Sequence, residues 1–195
     1  MQGTPVRIWD GGSFGGTNFY FWHSGILVLH VECFNMDWIM IQNVEEDIRG
    51  LSQRPIPLLV LAGAQGSGQT PVLRALESRG VGHYWNLSRA LAHLLQDLSR
   101  AARPGALSPG AVMEHLAADD SASIWLWDHI ELLFLPELKV DVLPWLKRCA
   151  RQHPLVVAWP GEYHQGSLVF SRPSRADHYR SERDREILVR LMQSS

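Results

Sequence analysis

The chain has 195 residues, 46% of them hydrophobic, and sets 18 Lys and Arg against 20 Asp and Glu for a formal charge of −2. That length suits one ordinary domain with a buried core and excludes two large ones. The near-neutral balance gives no whole-chain electrostatic reason to expect nucleic acid or anionic lipid as a partner.

Residues 1–35 differ from the rest. They carry Arg7, Asp10 and Glu32 as their only charges, a glycine cluster over Asp10–Thr17, and many aromatics without a sustained helical or strand period. They are read as an N-terminal extension, either disordered or added by an early start, with the domain proper over 36–195 and Met36 as the alternative first residue. GGSFG at Gly11–Gly15 matches the G-x-S-x-G nucleophile pattern by letter, but no helix follows it, which argues against a serine hydrolase. The apolar run over Gly25–Val31 falls short of the roughly 20 residues that span a bilayer, and no basic segment or cleavage site marks a signal peptide. With Cys33 and Cys149 isolated in apolar surroundings, neither a disulfide framework nor a zinc site is indicated. A soluble protein of the reducing cytoplasm is expected.

From Met36, MDWIMIQNVEEDIRGL reads as an amphipathic helix, with Trp38, Ile39, Ile41, Val44 and Ile48 apolar. A buried strand follows over Pro55–Gly63 and a helix over Thr70–Arg79. His83–Leu87 reads as a short strand, and Ser88 as the cap of a helix running to about Arg100. The Ser108-Pro109 pair starts another helix, to about Ala117. Ser123–Asp128 is a third strand, 136–152 a helix, and Pro154–Gly161 a fourth strand stopped by Pro160 and Gly161. Ser167–Arg172 is expected to pair with the fourth strand across GEYHQG, and an Arg- and Glu-rich helix to close the chain over Ser181–Gln193. Strands alternating with helices predict an α/β fold: a P-loop NTPase-like three-layer sandwich, with a mainly parallel sheet of about five strands and helices on both faces.

LLVLAGAQGSGQTPVL carries the strongest motif. The phosphate-loop pattern G-x-x-x-x-G-K-[ST] maps onto Gly63, Ala64, Gln65, Gly66, Ser67, Gly68, Gln69 and Thr70, between an apolar strand and a helix as the chemistry requires. Gly63, Gln65, Gly66, Ser67, Gly68, Gln69 and Thr70 are therefore the candidate nucleotide-binding residues. Gln69 stands where the lysine belongs, and Pro71 lacks an N–H in the first helical turn. Losing the charge-assisted contact costs about 1.5–3 kcal/mol. A plain glycine-rich turn is the blander alternative.

In SIWLWDHIELLF, Asp128 ends a buried strand, as a Mg²⁺-holding carboxylate does, with Thr70 as the other metal contact. An aspartate that merely closes the strand is the competing reading. His129 occupies the place of the usual companion glutamate. Glu131 is the candidate general base, against a solvated glutamate at a helix start, and Glu162 is expected on the same carboxyl edge of the sheet. The histidines show no metal-ligand spacing. Six arginines between Arg172 and Arg190, interleaved with acids, read as a solvated helix face or a subunit contact rather than a nucleic-acid patch.

LLVLAGAQGSGQT, WLWDHIELLFLPELKVDVL and LVVAWPGEYHQGSLVFSRPSRADHY together resemble BrxF, the family of small P-loop proteins of type 3 BREX bacteriophage-exclusion systems. The likeness covers about Asn43–Tyr179 and rests on the order P-loop, then D-x-I-E-L-L-F, then V-V-A-W-P-G-E-Y. It implies a bacterial ATP-binding component that works with a larger ATPase, a PglZ-type protein, a methyltransferase and a helicase. Gln69 and the first 35 residues depart from the family's pattern. The expected function is ATP·Mg²⁺ binding with weak or partner-dependent hydrolysis, for example with an arginine supplied in trans in a homo-oligomer. The alternative is a catalytically silent adaptor that assembles the defence complex.

Overall fold

The structure is a computed structural model and describes residues 32–117 and 122–192. Residues 1–31 of the N-terminal extension, with the GGSFG match and the apolar run over Gly25–Val31, and the Cys33 side chain lie outside the described residues.

In chain order the elements are α1 (Glu32–Arg49), β1 (Leu58–Gly63), α2 (Gln69–Ser78), β2 (His83–Asn86), α3 (Leu87–Leu95), α4 (Arg103–Ala106), α5 (Pro109–Ala117), β3 (Trp125–Asp128), α6 (Val142–Ala150), β4 (Leu155–Pro160), β5 (Glu162–His164), β6 (Ser167–Phe170), β7 (Tyr179–Arg180) and β8 (Leu188–Leu191). The larger sheet has five strands in the order β2-β3-β4-β1-β8, and every pairing in it is parallel.

A parallel strand covered on both faces needs an unbroken apolar run, and LLVLAG in β1 is buried at all six positions. Its alternation divides the core in two. Leu58, Val60 and Ala62 pack in a cluster with α3, α5 and α6, whereas Leu59 and Leu61 pack with α1 and α2 on the opposite face. The result is the expected α/β three-layer arrangement of helices, parallel sheet and helices. Cys149 sits in the first cluster as a free thiol, and burial pushes its pKa up to about 12.

Several local expectations are corrected. The first helix begins at Glu32 rather than Met36, so the boundary drawn between residues 35 and 36 falls inside α1. Asn86, not Ser88, caps α3: its Oδ1 accepts from Arg89 N at 2.9 Å, and the helix ends at Leu95. The helix expected over 136–152 is split, because Lys139 adopts φ 52° after a single 3-10 turn (Pro136–Leu138) and α6 starts only at Val142.

The fifth strand of the main sheet is β8, not Ser167–Arg172. GEYHQG folds as a hairpin with positive φ at Gln165 and Gly166, so β6 pairs with β5 and then with β7 in a separate antiparallel sheet. The C-terminal helix is likewise replaced. Asp184 Oδ1 accepts from Glu186 N and Ile187 N, making a turn, and the apolar residues after it pair along β1 as Leu59↔Leu188 to Ala62↔Leu191. Completing a buried parallel sheet outweighs the helix preference of a short charged segment.

Candidate functional site

β1 lies between β4 and β8. From β1 the chain crosses over β4 to the far edge, and later crosses β1 itself to reach β8, so the carboxyl end of β1 is a switch point of the topology. Open parallel sheets bind ligands in the crevice at such a point, and the glycine loop leaves β1 there.

The loop takes the shape its glycines permit. Gly66 and Gly68 sit at φ 87° and 89°, and Gly68 is the N-cap of α2. The first N–H groups of a helix have no partner within it, so Gly68, Gln69 and Thr70 offer backbone donors at the loop mouth, while Pro71 offers none. Gly63 is needed for space: a Cβ there would stand 2.2 Å from Ser67 Oγ and 2.9 Å from Met192 Cβ.

The Gln69 side chain is buried and does not reach toward an incoming phosphate. Its Nε2 donates to Trp159 O at 2.8 Å and Gly63 O at 2.9 Å, with Leu61 O at 3.4 Å, and its Oε1 accepts from Ser67 Oγ at 3.0 Å. The neutral amide thus ties the loop to the ends of β1 and β4. What Gln69 presents at the mouth is its backbone N–H.

Asp128 ends β3, which is buried throughout, and it is itself buried. Its Oδ2 accepts from Tyr84 Oη at 2.9 Å and its Oδ1 from His129 N at 2.8 Å. Burial, followed by the bond to Asp128, pushes the Tyr84 phenol up to about 12, so it stays protonated and donates. The Arg74 guanidinium lies 3.4 Å from the centroid of the Tyr84 ring. His129 takes φ 54°, and its Nε2 stands 3.7 Å from Asp128 Oδ2. Ser88 anchors the segment that follows: its N–H donates to His129 O and its Oγ accepts from Leu132 N. Glu131 opens the 3-10 turn Glu131–Phe134 from an exposed position.

Gln65, Gly66, Gln69, Thr70, Asp128 and Glu131 line one cleft of about 80 Å³. Glu162 does not join them; it starts β5 and is exposed. Sites that enclose a drug-sized ligand run to roughly 300–1,000 Å³. This cleft therefore admits a phosphate group and a metal, and the rest of a nucleotide would lie outside it.

A carboxylate and a hydroxyl are hard oxygen donors of the kind Mg²⁺ takes when water and phosphate oxygens complete its shell. Asp128 and Thr70 fit that role, and Glu131 lines the same cleft. Among the described residues no group of three His, Cys, Asp or Glu is placed to hold a metal by itself, so such an ion depends on the phosphate.

Sequence reasoning missed Tyr84 and took Ser88 for a helix cap rather than the anchor of the segment after Asp128. The register could have pointed to Tyr84, because β2 and β3 pair Asn86 with Asp128 and Tyr84 with Leu126 on the same sheet face. No sequence signal marked the Trp159 carbonyl as the receiver of the Gln69 amide.

No protein-family model and no curated protein matches the chain. A solved structure described as the crystal structure of a DNA replication initiation factor overlaps 65% of this chain and 37% of its own, at 13% identity and a TM-score of 0.38. The chain thus spans well under half the length of that protein. Among the described residues no helix is long and apolar enough to cross a membrane.

Proposed function

We propose that this protein binds the phosphates of ATP with Mg²⁺ at the Gly63–Thr70 loop as a component of a cytosolic bacterial anti-phage complex, and that the isolated chain turns ATP over weakly or not at all. The observation that carries the nucleotide reading is the meeting of the loop N–H groups, Thr70, Asp128 and Glu131 in one phosphate-sized cleft at the sheet switch point. The weak turnover follows from Gln69, which supplies no positive charge and whose amide is held by backbone carbonyls. The defence setting, with a larger ATPase, a PglZ-type protein, a methyltransferase and a helicase as partners, rests on the resemblance of the three segments to BrxF.

In this reading the loop amides hold phosphate, and Thr70 and Asp128 would hold a Mg²⁺ whose charge offsets that of the phosphate. Glu131 is the group available to take a proton from an attacking water once a partner completes the site. One observation favours the silent adaptor instead: Gln69 and Asp128 are already hydrogen-bonded within the chain, so loop and carboxylate hold their shape without a ligand.

Calorimetric titration with ATP, with and without Mg²⁺, separates the two. Mg²⁺-dependent binding by the wild type, tightened about 10- to 100-fold by Gln69→Lys, supports the nucleotide site. Binding by neither protein overturns it. The defence role fails if deleting the gene leaves the plating of phage on its host unchanged.

A further inference from the structure

A second concavity, of about 660 Å³, lies between α6 and the segment from β7 to the turn before β8, and it shares no lining residue with the glycine-loop cleft. Its walls are rich in arginine. Arg148 and Arg151 come from the end of α6, and Arg180, Arg183 and Arg185 from the opposite wall. All five are exposed, and none forms an ion pair or a side-chain hydrogen bond with a described residue.

In a helix, the acids of the same segment would sit beside these arginines and neutralise them. The fold instead diverts the acids. Lys147 Nζ bonds Asp184 at 2.7 Å and Glu186 at 2.5 Å, and Asp141 accepts from the Tyr179 hydroxyl at 2.8 Å. Five arginines and Lys147 thus stand against the carboxylates of Asp141, Glu182, Asp184 and Glu186, which leaves the groove net positive with guanidinium groups on both walls. Tyr179, half-buried, also lines the groove, with its ring packed against Phe134 and Trp159.

We infer that this groove binds single-stranded nucleic acid through its phosphates. Guanidinium groups match phosphate oxygens in a planar, two-pronged geometry that a lysine or a scattered surface charge does not offer. A basic channel that follows the backbone is a general way a strand is held without reading its sequence. Because the arginines come from both walls, the ligand must lie between them. A single strand can do so, whereas a duplex meets one rim.

The test is fluorescence anisotropy of the whole chain with a labelled mixed-sequence DNA oligonucleotide of about 20 nucleotides, at ionic strengths from about 50 to about 200 mM. For about four phosphate contacts the affinity for a single strand should fall roughly 50-fold over that range. Arg148→Glu with Arg183→Glu should weaken binding at least about 10-fold and flatten the salt dependence. Arg49→Glu, the same charge change on an exposed residue of α1 across the sheet, should leave both unchanged. The milder pair Arg183→Gln and Arg185→Gln, read with the far-UV spectrum, gives the same answer should the double reversal fail to fold. Absence of binding at low salt, equal binding of a duplex, equal competition by poly-glutamate, or indifference to the arginine variants would each overturn the inference.

Discussion

Gln69→Glu exchanges an amide for a carboxylate of nearly the same shape, and the structure makes the outcome sharp. Gln69 Nε2 is the donor to Trp159 O and Gly63 O, at 2.8 and 2.9 Å, with a third carbonyl at 3.4 Å. A carboxylate has nothing to donate there. Two net hydrogen bonds of about 1 kcal/mol each are lost and the carbonyls are left without that donor. The new charge is buried among carbonyl oxygens with only the Ser67 hydroxyl left to donate to it. Breaking a buried charged arrangement of this kind costs about 3–5 kcal/mol with the lost bonds included, a drop of about 2 M in the urea midpoint for a slope near 2 kcal/mol/M. Urea unfolding followed by tryptophan fluorescence reads it directly, since Trp125, Trp127 and Trp159 are buried. Burial raises the pKa of the introduced carboxyl in the folded state, so its penalty is present above the unfolded-state value and fades as pH falls. A cost within about 0.5 kcal/mol at pH 7, the figure for a surface change, would refute the internal placement of Gln69 and return its side chain to the phosphate.

Tyr84→Phe removes the hydroxyl donor to Asp128 and should cost about 1–2 kcal/mol, measured by the same unfolding curve. In the wild type the raised phenol pKa means that the unfolded state releases its proton first. The stability this group contributes is whole below about pH 10 and declines toward the folded value of about 12, which ultraviolet titration should show as a late-ionising phenol, beside the also raised Tyr179, that disappears in Tyr84→Phe. Lys147→Met frees Asp184 and Glu186 and should cost about 1–2 kcal/mol, between the values for exposed and buried pairs. Burial acts to raise the Asp184 pKa, but the Lys147 bond and neighbouring backbone N–H groups outweigh it and hold the carboxyl low. That contribution is present above the unfolded value near 3.9 and lost as pH falls, so acid unfolding of the Lys147→Met variant should be less steep. Gly161→Ala places a Cβ 2.1 Å from Val169 O and should cost more than about 2 kcal/mol, checked by thermal unfolding, because that atom is backbone of the small sheet and cannot turn aside.

Where the sequence read well, one residue type governed one local choice. The apolar run of β1, the glycines of the loop and the apolar approach to Asp128 depend on neighbours a few residues away, and each lies where the pattern put it. The parallel α/β fold followed from their alternation. The failures are long-range. Arg- and Glu-rich 181–193 has a helix-like composition, but the free edge of β1 selects Leu188–Leu191 as a strand. Ser88 is a good cap by type, yet Asn86 takes that place and the serine hydroxyl serves Leu132 instead. Gln69 is a missing lysine in the sequence. Only the fold shows that its amide is occupied by Trp159, ninety positions away.

The pairing of β8 with β1 also sets an order of assembly. The strand that carries the phosphate loop gains its second neighbour only when Leu188–Leu191 have been made, and Met192 N then closes on Ala62 O at 2.7 Å beside Gly63. On the ribosome, the first half of the loop's scaffold is therefore synthesised long before its last support emerges. During that interval β1 is an exposed, wholly apolar edge of the kind that recruits other chains. Such long-range parallel pairing folds slowly, so shielding Leu58–Ala62 during synthesis should raise the yield of folded protein.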